Sequence, residues 1–111
     1  MVGKSTLQPI SVPADFGAAR SALPEEVVII ARWQDEHSSD ITIQDFVAEG
    51  RSFIPVFTDE MNFDSQIKGS GFEDQGVLIR TDVFLSILRG GELLIVNPGG
   101  KNPLSIALPS R

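Results

Sequence analysis

Short apolar runs separated by polar, glycine-rich or proline-rich breaks set the outline of this chain. Val27–Ala31 is unbroken and mostly β-branched, and it predicts a strand over Glu26–Trp33 covered on both faces. Ile41–Ala48 alternates weakly and Arg51–Phe57 follows across Glu49-Gly50, the pattern of a β-hairpin with glycine supplying the positive φ. Pro55 has no N–H to give a ladder, so it is expected at a sheet edge, a bulge or an unpaired position. Gly76–Leu108 then reads strand, helix, strand, an Asn-Pro-Gly-Gly turn and a last alternating strand. A strand–helix–strand passage makes a parallel pair inside a sheet, and this stretch is expected to organise the rest.

Three helices complete the pattern. Pro13–Leu23 places Phe16, Ala19, Ala22 and Leu23 on one side, with Ser11 or Val12 near its cap. Thr58 caps a second helix whose first turn carries Asp59 and Glu60, the charges that the helix dipole favours there. Phe63 and Ile67 share a face, and Gly69 ends it. The third, Asp82–Arg89, leaves almost no polar face, so it is buried on several sides or lies in an interface.

These elements predict an α+β (mixed α/β) domain in two layers. It holds a mixed sheet of about five or six strands, two crossover helices and a short amino-terminal helix. Strands 51–57, 76–80 and 92–96 are expected to run parallel. Right-handed crossovers progressing one way would put both helices on one face. The strands at Val27–Ala31, Val77–Ile79 and Leu93–Val96 read as buried on both sides and then need cover on the other face, from the amino-terminal helix, a reversal of strand order, or another chain. Residues 1–11 are expected to be a flexible lead-in and 12–111 a single domain.

The 111 residues hold 15 acids against 9 bases, a net charge of −6 spread along the chain. Diffuse negative charge disfavours nucleic acid and anionic membrane, which need clustered Lys and Arg. No apolar run approaches the ~20 residues of a membrane span, and the start lacks a secretory apolar core. Without cysteine there is no disulfide or thiolate chemistry, which fits a cytoplasmic protein.

From Arg51 onward the residues resemble a known family. Ser52–Glu60 (SFIPVFTDE), Thr81–Leu88 (TDVFLSIL) and Leu94–Gly99 (LIVNPG), in that spacing, are similar to the SseB amino-terminal domain family, with a looser match over Ala22–Ile30. The resemblance implies a small bacterial α/β domain, linked by name to enhanced serine sensitivity, with no catalytic residues to carry over. The name is shared with a type III secretion translocon protein, whose long helical or membrane-active segments have no counterpart here. Many relatives carry a further carboxy-terminal domain that is not matched in this sequence.

Candidate chemistry is sparse. Gly3-Lys4-Ser5-Thr6 mimics the end of a phosphate-binding loop but lacks the upstream strand and glycine that the motif needs. His37, the sole histidine, lies among Asp35, Glu36 and Asp40 in a stretch that reads as a solvated loop. Asp59, Glu60 and Asp64 resemble paired acids, yet helix-start electrostatics account for the first two. No catalytic residue, metal site or cofactor is expected. Open α/β sheets bind ligands at the carboxyl ends of parallel strands. The ligand-site candidates are therefore Thr58, Arg80, Thr81, Asn97, Gly99, Gly100 and Lys101. Trp33, Phe72, Phe84 and Leu88 are interface candidates, since aromatic anchors dominate binding surfaces. The function expected is a non-catalytic interaction or regulatory module, partnered by itself as a homodimer or by another protein. The alternative is a small-molecule, amino-acid-related sensor or enzyme built on the strand-end loops.

Overall fold

The computed structural model describes residues 10–33 and 41–111. In order, these form β1 (Ile10–Ser11), α1 (Phe16–Ser21), β2 (Glu26–Trp33), β3 (Ile41–Ile43), β4 (Phe46–Ala48) and β5 (Arg51–Phe57). Then come α2 (Glu60–Ile67), β6 (Gly76–Arg80), α3 (Thr81–Ser86), β7 (Leu93–Val96) and β8 (Leu104–Ala107). The fold is the α+β class that the sequence predicts, around one mixed open sheet. Ile10 and Ser11, expected in the mobile lead-in, instead form a strand parallel to Ser105 and Ile106 of β8.

The strands run β1-β8-β7-β5-β2, and β2 also carries β6 and β3. Its pairing with β6 is antiparallel from Glu26↔Arg80 to Ile30↔Gly76, and its pairing with β5 is antiparallel through Val28↔Phe57 and Ile29↔Val56. β5 and β6 therefore point the same way, as expected, and β7 is parallel to β5. One expectation fails: β6 and β7, joined by α3, are not neighbours, because β2 and β5 stand between them. The doubly apolar β2 takes the central position that the crossover pair was expected to hold.

This order also resolves the question of cover. The chain crosses β2 in one direction between β5 and β6, then returns past both to reach β7. Right-handed crossovers of opposite sense place their helices on opposite faces. Accordingly the two layers expected become three. Val27, Ile29 and Ala31 point into a core with α1 and α3 that includes Phe84, Leu94 and Ile106. Val28 and Ile30 point the other way, into a smaller core with Phe57, Phe63 and Ile67 under α2.

Pro55 explains how β3 and β4 enter the sheet. Continuing the β2–β5 register places Pro55 opposite Ile30, whose carbonyl would look for an N–H that proline lacks. Gln44 supplies it instead, donating its N–H to the Ile30 carbonyl at 2.8 Å. Beyond that point β2 pairs with β3 and β5 with β4. Pro55 thus pairs with Ile95 of β7 on one side and has no strand partner on the β2 side, where its missing N–H would have been needed. The β4–β5 hairpin turns through Glu49 and Gly50, both at positive φ. The two-residue turn matches the predicted one, although β3, expected in the same hairpin, belongs to β2.

The helices are shorter than their patterns. α1 is capped by Asp15, which accepts the Ala18 N–H at 2.8 Å, rather than by Ser11 or Val12. α2 is capped one residue later than expected, by Asp59, which accepts the Asn62 N–H at 2.7 Å. α3 stops at Ser86, and Arg111 donates to the carbonyls of Leu85 and Leu88 at its end.

Candidate functional site

The carboxyl ends of β5 and β7 are adjacent because those strands pair, and their polar residues bind one another. Asn97 donates its Nδ2 to Thr58 Oγ1 at 3.1 Å and accepts the Thr58 N–H on Oδ1 at 3.2 Å. Asn62, one turn into α2, donates to the same Thr58 oxygen at 3.2 Å. Gln66, a turn further, donates to Asn62 Oδ1 at 3.0 Å and accepts the Gly99 N–H at 3.2 Å. The ring closes through the turn itself, where the Gly100 N–H reaches the Asn97 carbonyl at 2.8 Å. Its chemistry is positional: it ties the β7–β8 turn to α2 and consumes most of its own donors. Next to it lies an apolar groove of about 130 Å³ lined by Phe46, Phe53, Pro55, Phe57, Ile67 and Pro98.

Of the strand-end candidates, Thr58, Asn97, Gly99 and Gly100 come together there, with Lys101 exposed just beyond. Thr81 and Arg80 do not join them. β2 separates β6 from β5, so Thr81 stands more than two strand spacings, over roughly 10 Å, from Thr58. Thr81 is fully buried and donates its hydroxyl to the Pro24 carbonyl and its N–H to that of Glu25. It pins the start of β2. Arg80 is exposed and pairs with Asp82 at 2.7 Å.

The interface candidates fare differently. Phe84 and Leu88 lie inside the main core, so no surface of theirs is open to a partner. Apolar surface here comes instead from Val83 of α3 and from Ile87, its C-cap, which are 44% and 43% exposed. Phe72 is half-buried and packs edge-to-face on Phe46 with ring centroids 5.2 Å apart. The Trp33 side chain, His37 and Gly3–Thr6 lie outside the described residues. Among those described, no group of three or more acids or histidines is placed to hold a metal, and no helix is long and apolar enough to cross a membrane.

Among the described residues β6 pairs with β2 alone, so its other side is an edge of the sheet. The Ala31 N–H donates to the Gln75 carbonyl and the Thr81 N–H to that of Glu25, so odd-numbered residues of β6 face β2. By alternation the N–H and C=O groups of Gly76, Leu78 and Arg80 point away from the sheet, and among the described residues no strand pairs with them. The run Val77–Ile79, expected to be buried on both sides, has half-buried Val77 and Ile79, while Leu78 is 51% exposed. An edge position accounts for this. Above Leu78, on the α2 face, opens a groove of about 280 Å³ with Val28, Phe63 and Gly76 in its lining and Glu60, Asp64, Glu73 and Asp74 around it. Glu73 is held below the usual carboxylate range by hydrogen bonds, first from its own backbone and then from the Gly69 N–H.

A model of the SseB protein N-terminal domain matches residues 10–109. The chain belongs to that family. No curated protein and no solved structure matches it.

Sequence reasoning on this SseB domain missed Asn62, Gln66 and Leu78. Asn62 and Gln66 stand four apart on α2, after the strand-end threonine, and that spacing puts both over the β5–β7 ends. Leu78 carried no comparable signal, since an apolar run does not say which strand is an edge.

Proposed function

We propose that this SseB domain acts in the cytoplasm as a non-catalytic protein-interaction module that engages another protein along the outer edge of β6. The open row of backbone groups at Gly76, Leu78 and Arg80 carries the reading. Soluble proteins blunt such edges with proline, lysine, a bulge or a cover. Among the described residues β6 has none of these at its centre, where Val77, Leu78 and Ile79 sit instead. Strand addition along an edge of this kind is a recurrent mode of peptide recognition. The polar strand-end groups at Thr58 and Asn97, by contrast, are engaged with one another, which favours a structural role over catalysis.

A photo-crosslinking residue at Leu78, with Val47 as an exposed control on β4, tests this in cells that produce the protein. The expected result is a discrete protein adduct from position 78 and none from 47. Identical patterns at both positions would contradict it. So would a screen in which serine or a related amino acid raises the melting temperature by binding at Thr58 and Asn97.

A further inference from the structure

We infer that the occupant of the β6 edge is an extended, cationic segment of another protein in which basic and apolar residues alternate. The inference rests on the interaction reading above and names its partner by charge and periodicity.

A strand added beside β6 projects successive side chains to opposite faces of the sheet. Those on the α2 face meet the groove over Leu78, ringed by Glu60, Asp64, Glu73 and Asp74. The one cation of β6 on that face, Arg80, is already paired with Asp82 at 2.7 Å. The rim therefore presents the carboxylates of Glu60, Asp64 and Asp74, beside Glu73, whose two oxygens already accept the Gly69 and Gly71 N–H groups. The side chains that suit them are lysine or arginine, whose aliphatic stems can lie on Leu78 while their heads reach the acids. Side chains on the other face extend the layer of Val77 and Ile79, which pack on the main core, and suit valine, isoleucine or threonine.

The same charges disfavour a second copy of this chain. Antiparallel β6–β6 pairing about an axis perpendicular to the sheet would put both α2 faces on one side, bringing two acidic rims together. Each chain adds a net charge of −6 to that repulsion.

The test uses the full chain, isotope-labelled, with the peptide acetyl-TKVKVKVKT-amide as probe and its glutamate and glutamine counterparts (lysines replaced) as controls. Amide exchange and chemical shifts are read by NMR. The lysine peptide is expected to slow exchange of the outward Leu78 and Arg80 amides about tenfold or more in a saturable way. Binding should weaken roughly tenfold in the Asp64→Asn/Asp74→Asn double variant and at raised salt. Both substitutions are on exposed positions, so folding should survive them. Equal protection by all three peptides would overturn the cationic assignment while leaving the edge-binding reading intact. If no peptide protects these amides, the inference falls; the crosslink at Leu78 then decides separately whether the edge binds anything. Protection that grows with protein concentration in the absence of peptide would overturn it in favour of a second copy.

Discussion

The ring of Phe63 occupies the space that a side chain at position 76 would need: a Cβ on Gly76 would lie 2.8 Å from two of its carbons. Phe63 also stands edge-to-face against Phe57, centroids 5.2 Å apart. One aromatic thus clamps α2 to the first residue of β6 and to the end of β5, and fixes the groove between helix and strand. Gly76→Ala is expected to cost about 1–3 kcal/mol through overpacking. Phe63→Leu in the same chain should recover part of that loss, a coupling that urea unfolding of the four-member cycle would reveal. Strict additivity of the two changes would show that the contact is not the cause.

The ring of hydrogen bonds at the β5–β7 ends should behave as a unit. Thr58→Val leaves Asn97 and Asn62 each short of an acceptor, and is expected to lower stability by about 1–3 kcal/mol. Asn97→Asp keeps the acceptor for the Thr58 N–H but loses the donor to its hydroxyl. Its cost should largely vanish in the Thr58→Val background, as thermal unfolding of single and double variants would show.

The hydrogen bonds to Glu73 set the sign of a pH dependence. Its carboxylate accepts the Gly69 N–H at 2.6 Å and the Gly71 N–H at 2.9 Å, and its folded pKa lies below the ordinary 4.5. A depressed carboxylate contributes stability above its unfolded pKa and loses it as pH falls through the lower folded value. Glu73→Gln should therefore be less stable than the parent at pH 7, with the gap closing below about pH 4. A gap independent of pH in urea titrations would contradict this assignment.

Arg111 closes the end of α3. Its Nε donates to the Leu88 carbonyl at 2.8 Å and an Nη to that of Leu85 at 2.7 Å, while the guanidinium stacks 3.8 Å from the Phe16 ring centre. It joins α1 to α3 from the far end of the chain. Arg111→Ala is expected to cost about 1–3 kcal/mol. Arg111→Lys should restore little of it, because a point charge cannot serve two carbonyls and a ring together. Recovery to parental melting temperature with lysine would mean that charge alone matters.

Much of this fold is legible in the residues because local chemistry dictates it. Val27–Ala31, unbroken and β-branched, reads as a strand covered on both faces, and Glu49-Gly50 between two apolar runs has to turn. The strand order was not legible. Periodicity tells which face of a strand is oily, not which strand lies beside it, so β6 looked interior although it is an edge. Pro55 shows the same limit: its missing N–H is plain in the sequence, while the Ile30 carbonyl that it leaves open, and the Gln44 that answers, depend on register. For the candidate site, parallel strands put Thr58 and Asn97 at the same end of the sheet, while their contact depends on β5 pairing with β7. Thr81 shared that logic but belongs to a strand on the far side of β2, where its hydroxyl serves packing.

The most direct test of the account is amide hydrogen exchange along β6 in the free protein. An open edge predicts slow exchange at Val77 and Ile79, which bond to β2, and exchange at least about a hundredfold faster at Leu78 and Arg80, which face solvent. Equal, strong protection at all four positions would mean that the edge is already covered, and the binding surface proposed here would not exist.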